Sequence, residues 1–140
     1  MKLTRRNLLI LSSAGVAATA LGSLPAFASL TDDAIAELTG GAALGEGGVT
    51  LTAPEIAENG NTVPIEVDAP GAVAITLFAD GNPVPNVATF NFGPLSASRS
   101  ASTRIRLATT QNVVAVAKME DGSYQMAKAN VKVTIGGCGG

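Results

Sequence analysis

Thr103-Arg104-Ile105-Arg106-Leu107 alternates without a break, with apolar residues at 105 and 107 and arginines at 104 and 106. A period of two belongs to an extended chain with one face in a core and the other in water. Val131-Lys132-Val133-Thr134-Ile135 repeats the pattern, with Lys132 on the wet face. Working outward, strand-like runs appear at Val49–Thr52, Thr62–Asp68, Ala72–Ala79, Val87–Phe92, Ser102–Ala108, Asn112–Met119 and Tyr124–Ile135. Turn-forming residues separate them: Asn59-Gly60-Asn61, Pro70-Gly71, Asp80-Gly81-Asn82-Pro83, Gly93-Pro94 and Asp121-Gly122. About seven short strands in roughly 90 residues predict an all-β chain, an immunoglobulin-like antiparallel β-sandwich.

Two of these strands break the alternation. Val73-Ala74-Ile75-Thr76-Leu77-Phe78 and Val113-Val114-Ala115-Val116-Ala117 are apolar on both faces. In a two-layer sandwich the outer face of each strand meets water and reads polar. Small alanines are tolerated there, but Phe78, on the face opposite Leu77, predicts that another protein covers this side of the sheet.

Ahead of the strands, a short helix is expected from Asp32 to Leu38, capped by Thr31 or Asp32 and ended by Gly40-Gly41. The glycine-rich stretch Gly40–Gly48 reads as a flexible connector. This gives four segments: a leader over 1–28, a helix and connector over 29–48, a sandwich over 49–135 and a tail over 136–140.

The leader has the parts of an export signal. Lys2, Arg5 and Arg6 precede an apolar run from Leu8 to Leu24, and Ala26-Phe27-Ala28 offers a small-residue cleavage site. The Arg5-Arg6 pair followed by Leu8 and Leu9 is the pattern of the twin-arginine route, with leucine where phenylalanine is commoner. Ser12, Ser13, Gly15, Thr19, Gly22 and Ser23 interrupt the run, which falls short of the roughly 20 apolar residues of a membrane span. Periplasmic localisation and no stable membrane insertion are therefore expected. Cleavage after Ala28 leaves six basic against eleven acidic residues, a net charge of −5. Nine acids lie between Asp32 and Asp80, whereas all six remaining bases lie between Arg99 and Lys132.

Composition removes whole classes of function. The 140 residues include no histidine, no tryptophan and one cysteine. Without histidine there is no Ser-His-Asp or Cys-His arrangement, and the commonest metal ligand is missing. One cysteine cannot close an internal disulfide or form a CxxC pair. A net charge of −2 over the full chain gives no electrostatic case for nucleic acid.

That cysteine stands in Gly136-Gly137-Cys138-Gly139-Gly140, where no other residue has a side chain. Four glycines leave the backbone free to move. Fully extended, five residues reach roughly 16–18 Å past the last strand, about the depth of an enzyme cleft. A lone cysteine is usually a core residue; this one has nothing around it to make a core. Third from the end, it is out of register for prenylation. It has no base of its own, and only a few per cent of an unassisted thiol is thiolate at neutral pH. Two uses remain: an exported structural or adhesive domain that dimerises through Cys138, and a carrier whose cysteine is presented to other enzymes.

The tail from Val131 to Gly140 resembles that of the SoxY family, sulfur carriers of the bacterial thiosulfate-oxidising (Sox) system. So do Glu37-Leu38-Thr39-Gly40-Gly41, the run from Pro54 to Pro64, Ser102–Ala108 and Asn112–Ala117 followed by Asp121-Gly122-Ser123. The resemblance implies a non-enzymatic carrier with no cofactor of its own. It implies a heterodimer with SoxZ, and transient contacts with SoxAX, SoxB and, where present, the sulfane dehydrogenase SoxCD. Cys138 is then the site of covalent sulfur attachment, with Gly136, Gly137, Gly139 and Gly140 as its arm.

Overall fold

In the computed structural model, which describes residues 26–136, one helix precedes nine strands. The helix α1 is Ala26–Thr39; the strands are β1 (Leu44–Glu46), β2 (Thr50–Thr52), β3 (Ile56–Ala57), β4 (Val63–Asp68), β5 (Ala72–Ala79), β6 (Asn86–Asn91), β7 (Ser100–Ile105), β8 (Gln111–Met119) and β9 (Tyr124–Val133). One sheet runs β1-β9-β8-β5-β6, with β3 also pairing β9, and the other runs β2-β4-β7. The sandwich expected from the alternation is present. In β4, Val63, Ile65 and Val67 are buried while Pro64, Glu66 and Asp68 are exposed. Ile105 and Leu107 point into the core and Arg104 and Arg106 into solvent, as their spacing requires.

The core between the sheets joins Val63, Ile65 and Val67 of one layer to Ile75, Leu77, Val113 and Ala115 of the other. These are mostly β-branched and small residues, which suit the pleated surfaces of two sheets about 10 Å apart. The two doubly apolar strands, β5 and β8, are neighbours in the middle of the larger sheet, with paired residues Leu77↔Ala115 and Phe78↔Val114.

The outer face of these strands corrects the sequence reading. Phe78 is fully buried, but under this chain's own helix: it shares a second apolar cluster with Val114, Val116 and Ile35 of α1. Thr31, Ile35 and Thr39, at i, i+4 and i+8, form the buried stripe of the helix. The cover over Phe78 is thus intramolecular, and no second protein is needed there. Beyond the helix the same face turns polar, with Thr89, Asn91 and Lys118 exposed.

The helix is also longer than expected, beginning at Ala26 and not after Thr31, so Thr31 and Asp32 lie inside it and do not cap it. Thr31 is instead part of the stripe against the sheet. The helix ends where glycine predicted: Gly40 takes φ +66° and the Gly41 N–H donates to the Ala36 carbonyl at 3.1 Å. That six-to-one bond past a left-handed residue is the Schellman closure, in which glycine avoids the Cβ penalty.

The expected connector Gly40–Gly48 is not a free linker. Its Leu44–Glu46 forms β1, which runs parallel to β9 in the register Leu44↔Tyr124 and Glu46↔Met126. Side chains at Gly45 or Gly48 would collide with the Gln125 side chain, so small residues here let the segment lie over β9. Similarly β3 runs parallel to β9, pairing Ile56 with Lys132. The larger sheet therefore mixes antiparallel strands with two short parallel pairings.

Candidate functional site

The expected site residues follow directly from β9, so the site begins with what holds the end of that strand. The Lys132 N–H donates to the Glu55 carbonyl at 2.9 Å and the Thr134 N–H to the Ala57 carbonyl at 3.0 Å, which locks the strand end to β3. On the other side the Thr110 hydroxyl accepts from the Val133 N–H at 2.9 Å. Past the sheet, Gly60 serves as a bridge. Its N–H donates to the Ile135 carbonyl, and its carbonyl accepts from the Leu107 N–H, both at 2.7 Å. The turn Asn59-Gly60-Asn61, read from sequence only as punctuation, thereby pins the chain where the tail departs.

Gly136 comes next, against the carbonyl oxygen of Ala108; a Cβ added there would collide with it. Of the five tail residues, Gly136 alone is among the described residues, and its placement is set by this close approach. Gly137, Cys138, Gly139 and Gly140 lie outside the described residues, as does the leader through residue 25. The expected cleavage point after Ala28 falls in the first turn of α1.

Ala108 is itself held. The side chain of Asn82, 5% exposed, donates from Nδ2 to the Arg106 carbonyl at 2.8 Å. Its Oδ1 accepts from the Ala108 N–H at 3.0 Å and from Gln111 Nε2 at 2.9 Å. Gln111 Oε1 in turn accepts from the Gly81 N–H at 2.9 Å. Buried polar groups satisfied in this way fix a loop in one arrangement. Sequence reasoning did not find Asn82: a polar residue in a Gly-Asn-Pro turn signals the turn, not its long-range partners.

Around this base the surface is partly apolar, with Ile135 66% and Val84 69% exposed. A depression of about 330 Å³ opens beside it, lined by Asn61, Asn82, Val84, Asn86, Arg104 and Arg106 among others. Two larger hollows lie elsewhere, one of about 490 Å³ between α1 and the sheet and one of about 620 Å³ on the outer face of the smaller sheet. Among the described residues no group of three His, Cys, Asp or Glu side chains is placed to hold a metal ion. No described helix is long and apolar enough to cross a membrane.

Comparison with known proteins gives three findings. The family model "Sulfur oxidation protein SoxY" matches residues 35–138. The structure of the sulfur carrier protein SoxY from Chlorobium limicola f thiosulfatophilum matches with 41% sequence identity and a TM-score of 0.67, over 77% of this chain and 99% of that one. A superoxide reductase (neelaredoxin) from Ignicoccus hospitalis matches with a TM-score of 0.55 at 16% identity, over 62% of this chain and 80% of that one. A likeness at such low identity reflects the shared sandwich alone. No curated protein sequence matches the chain.

Proposed function

The chain belongs to the SoxY family of sulfur oxidation proteins, and from that membership we propose that it carries sulfur covalently on Cys138 in thiosulfate oxidation. The observation that carries this reading is where the family match ends: residue 138, the single cysteine of the chain. The anchored geometry around Gly136 supports it, because a carrier needs a fixed base as much as a reachable end. Four residues beyond Gly136 extend by roughly 13–14 Å at most, enough to enter another protein's cleft.

The chemistry follows the family's pattern and balances at each step. The Cys138 thiol and thiosulfate join through a new S–S bond, giving Cys–S–S–SO₃⁻, a proton and two electrons that pass to the haem protein SoxAX. Water, with the hydrolase SoxB, then breaks the terminal S–SO₃ bond, giving sulfate, a proton and the persulfide Cys–S–SH. The chain contributes an attachment atom and a path to the enzymes; activation of the thiol is left to them. A modest intrinsic reactivity protects an exposed thiol from irreversible oxidation.

Export through the twin-arginine route, cleavage after Ala28 and pairing with SoxZ complete the proposal. Since α1 covers Phe78, SoxZ is expected to bind elsewhere than on that cluster. The test is genetic: Cys138→Ser in the native host should abolish thiosulfate-dependent respiration while the protein accumulates in folded form. Normal thiosulfate oxidation by that variant would overturn the reading.

A further inference from the structure

We propose that the depression beside the arm base is a docking site for the chain's own C-terminal residues, in which Arg104 and Arg106 bind the anionic cargo held on Cys138. The inference rests on the carrier reading above and adds to it a resting place for the loaded arm.

Position is the first argument. The described chain ends at Gly136 against Ala108, and Arg106 is two residues before Ala108, no more than roughly 7 Å away along the backbone. Four further residues, with an extended reach of roughly 13–14 Å, span that gap with length to fold back. Gly60 bonds both Ile135 and Leu107, and Asn61 beside it lines the depression, so the arm base and the depression share one frame. Asn82 makes the frame stiff, since one side chain holds the Arg106 carbonyl and the Ala108 N–H together.

Charge is the second. The exported chain has a net charge of −5, yet both ionisable side chains lining this depression are arginines. The unloaded tail has one negative charge, the terminal carboxylate; thiosulfate as cargo adds a sulfonate. Guanidinium groups present paired donors that match sulfonate and carboxylate oxygens. The neutral amides of Asn61 and Asn86 stand on the same rim, with Val84 beside the path of the arm. Docking would become stronger when the cargo is anionic and weaken once sulfate has left. A partner enzyme then competes with the carrier's own surface for the loaded arm but meets a released arm after hydrolysis.

The test uses the purified exported protein and chemical loading. Tetrathionate exchanges with a thiol to give Cys–S–S–SO₃⁻, thiosulfate and a proton, with no partner enzyme. Loading should shift the backbone amides of Asn61, Asn86, Arg104 and Arg106, and should not do so in Arg104→Gln/Arg106→Gln. Removal of the adduct by dithiothreitol should be roughly two- to fivefold faster in that variant, the scale of two exposed ion pairs. The difference should shrink in high salt. An unchanged amide spectrum before loading verifies the variant's fold, and the loading shifts of the parent protein decide the matter without it. Loading that leaves those four amides in place overturns the proposal, as does an equal removal rate. Tetrathionate acts on any accessible thiol, so failure here leaves the carrier role standing, whereas failure of the Cys138→Ser genetics removes that role itself.

Discussion

Gly136 faces the carbonyl oxygen of Ala108 with no room between them for a side chain. The tail is therefore fixed at one end, and the contact depends on a backbone held from below by Asn82 and from the side by Gly60. Gly136→Ala should force the backbone off Ala108 and strain the Ile135–Gly60 hydrogen bond. A loss of about 1–3 kcal/mol is expected, the usual range for inserting a methyl group where none fits. Urea unfolding and hydrogen exchange at the Gly60 amide measure it; unchanged stability with a protected Gly60 would show that the base is not pinned here.

Asn82→Ala removes three hydrogen bonds at a nearly buried site and leaves the Ala108 N–H and the Gln111 amide without their acceptor. An unsatisfied buried group costs about 1–3 kcal/mol, so destabilisation of at least about 2 kcal/mol is expected. Asn82→Asp retains the acceptor but loses the donor to Arg106, and should fall between the two in denaturant melts.

Ile35 and Phe78 belong to the cluster that seals α1 onto the sheet. Phe78→Ala should cost about 3–5 kcal/mol and Ile35→Ala about 2–4 kcal/mol. Because the residues share one cluster, the double variant should be less destabilised than the sum. Strict additivity would mean that the helix and the strand pack independently.

Asp121 has its carboxyl held below the ordinary aspartate range by the Ser123 hydroxyl and N–H, which donate to it at 2.6 and 2.9 Å. A depressed folded-state pKa contributes stability above the unfolded value near 3.9, and that contribution is lost as pH falls through the folded value. The group is fully exposed, so the effect is confined to the Asp121–Ser123 turn. An NMR titration of Asp121 should move upward in Ser123→Ala; an unmoved titration would contradict the assignment.

What was legible in the sequence followed period and punctuation. Strict alternation at Ile105, Leu107, Val63, Ile65 and Val67 placed those strands and their faces, and Gly40-Gly41 marked the helix end. β1 and β3 left no such trace. Leu44–Glu46 and Ile56–Ala57 are too short to show a period, and they are strands only because β9, more than 60 residues later, offers them an edge. The double apolarity of β5 and β8 was read correctly as a covered face, but a sequence cannot say which chain does the covering. The amphipathic stripe Thr31, Ile35, Thr39 was the overlooked clue, weakened because two of its three residues are polar. The tail cysteine stood out from composition alone, whereas its base did not: Gly60, Asn82 and Ala108 meet Gly136 only through the fold.

The central claim is that Cys138 holds the sulfur, and intact-mass spectrometry of the protein from thiosulfate-grown cells tests it most directly. The account predicts sulfur-containing adducts that vanish on reduction and map to the C-terminal peptide bearing Cys138. A Cys138 thiol that is unmodified throughout active thiosulfate oxidation would contradict it.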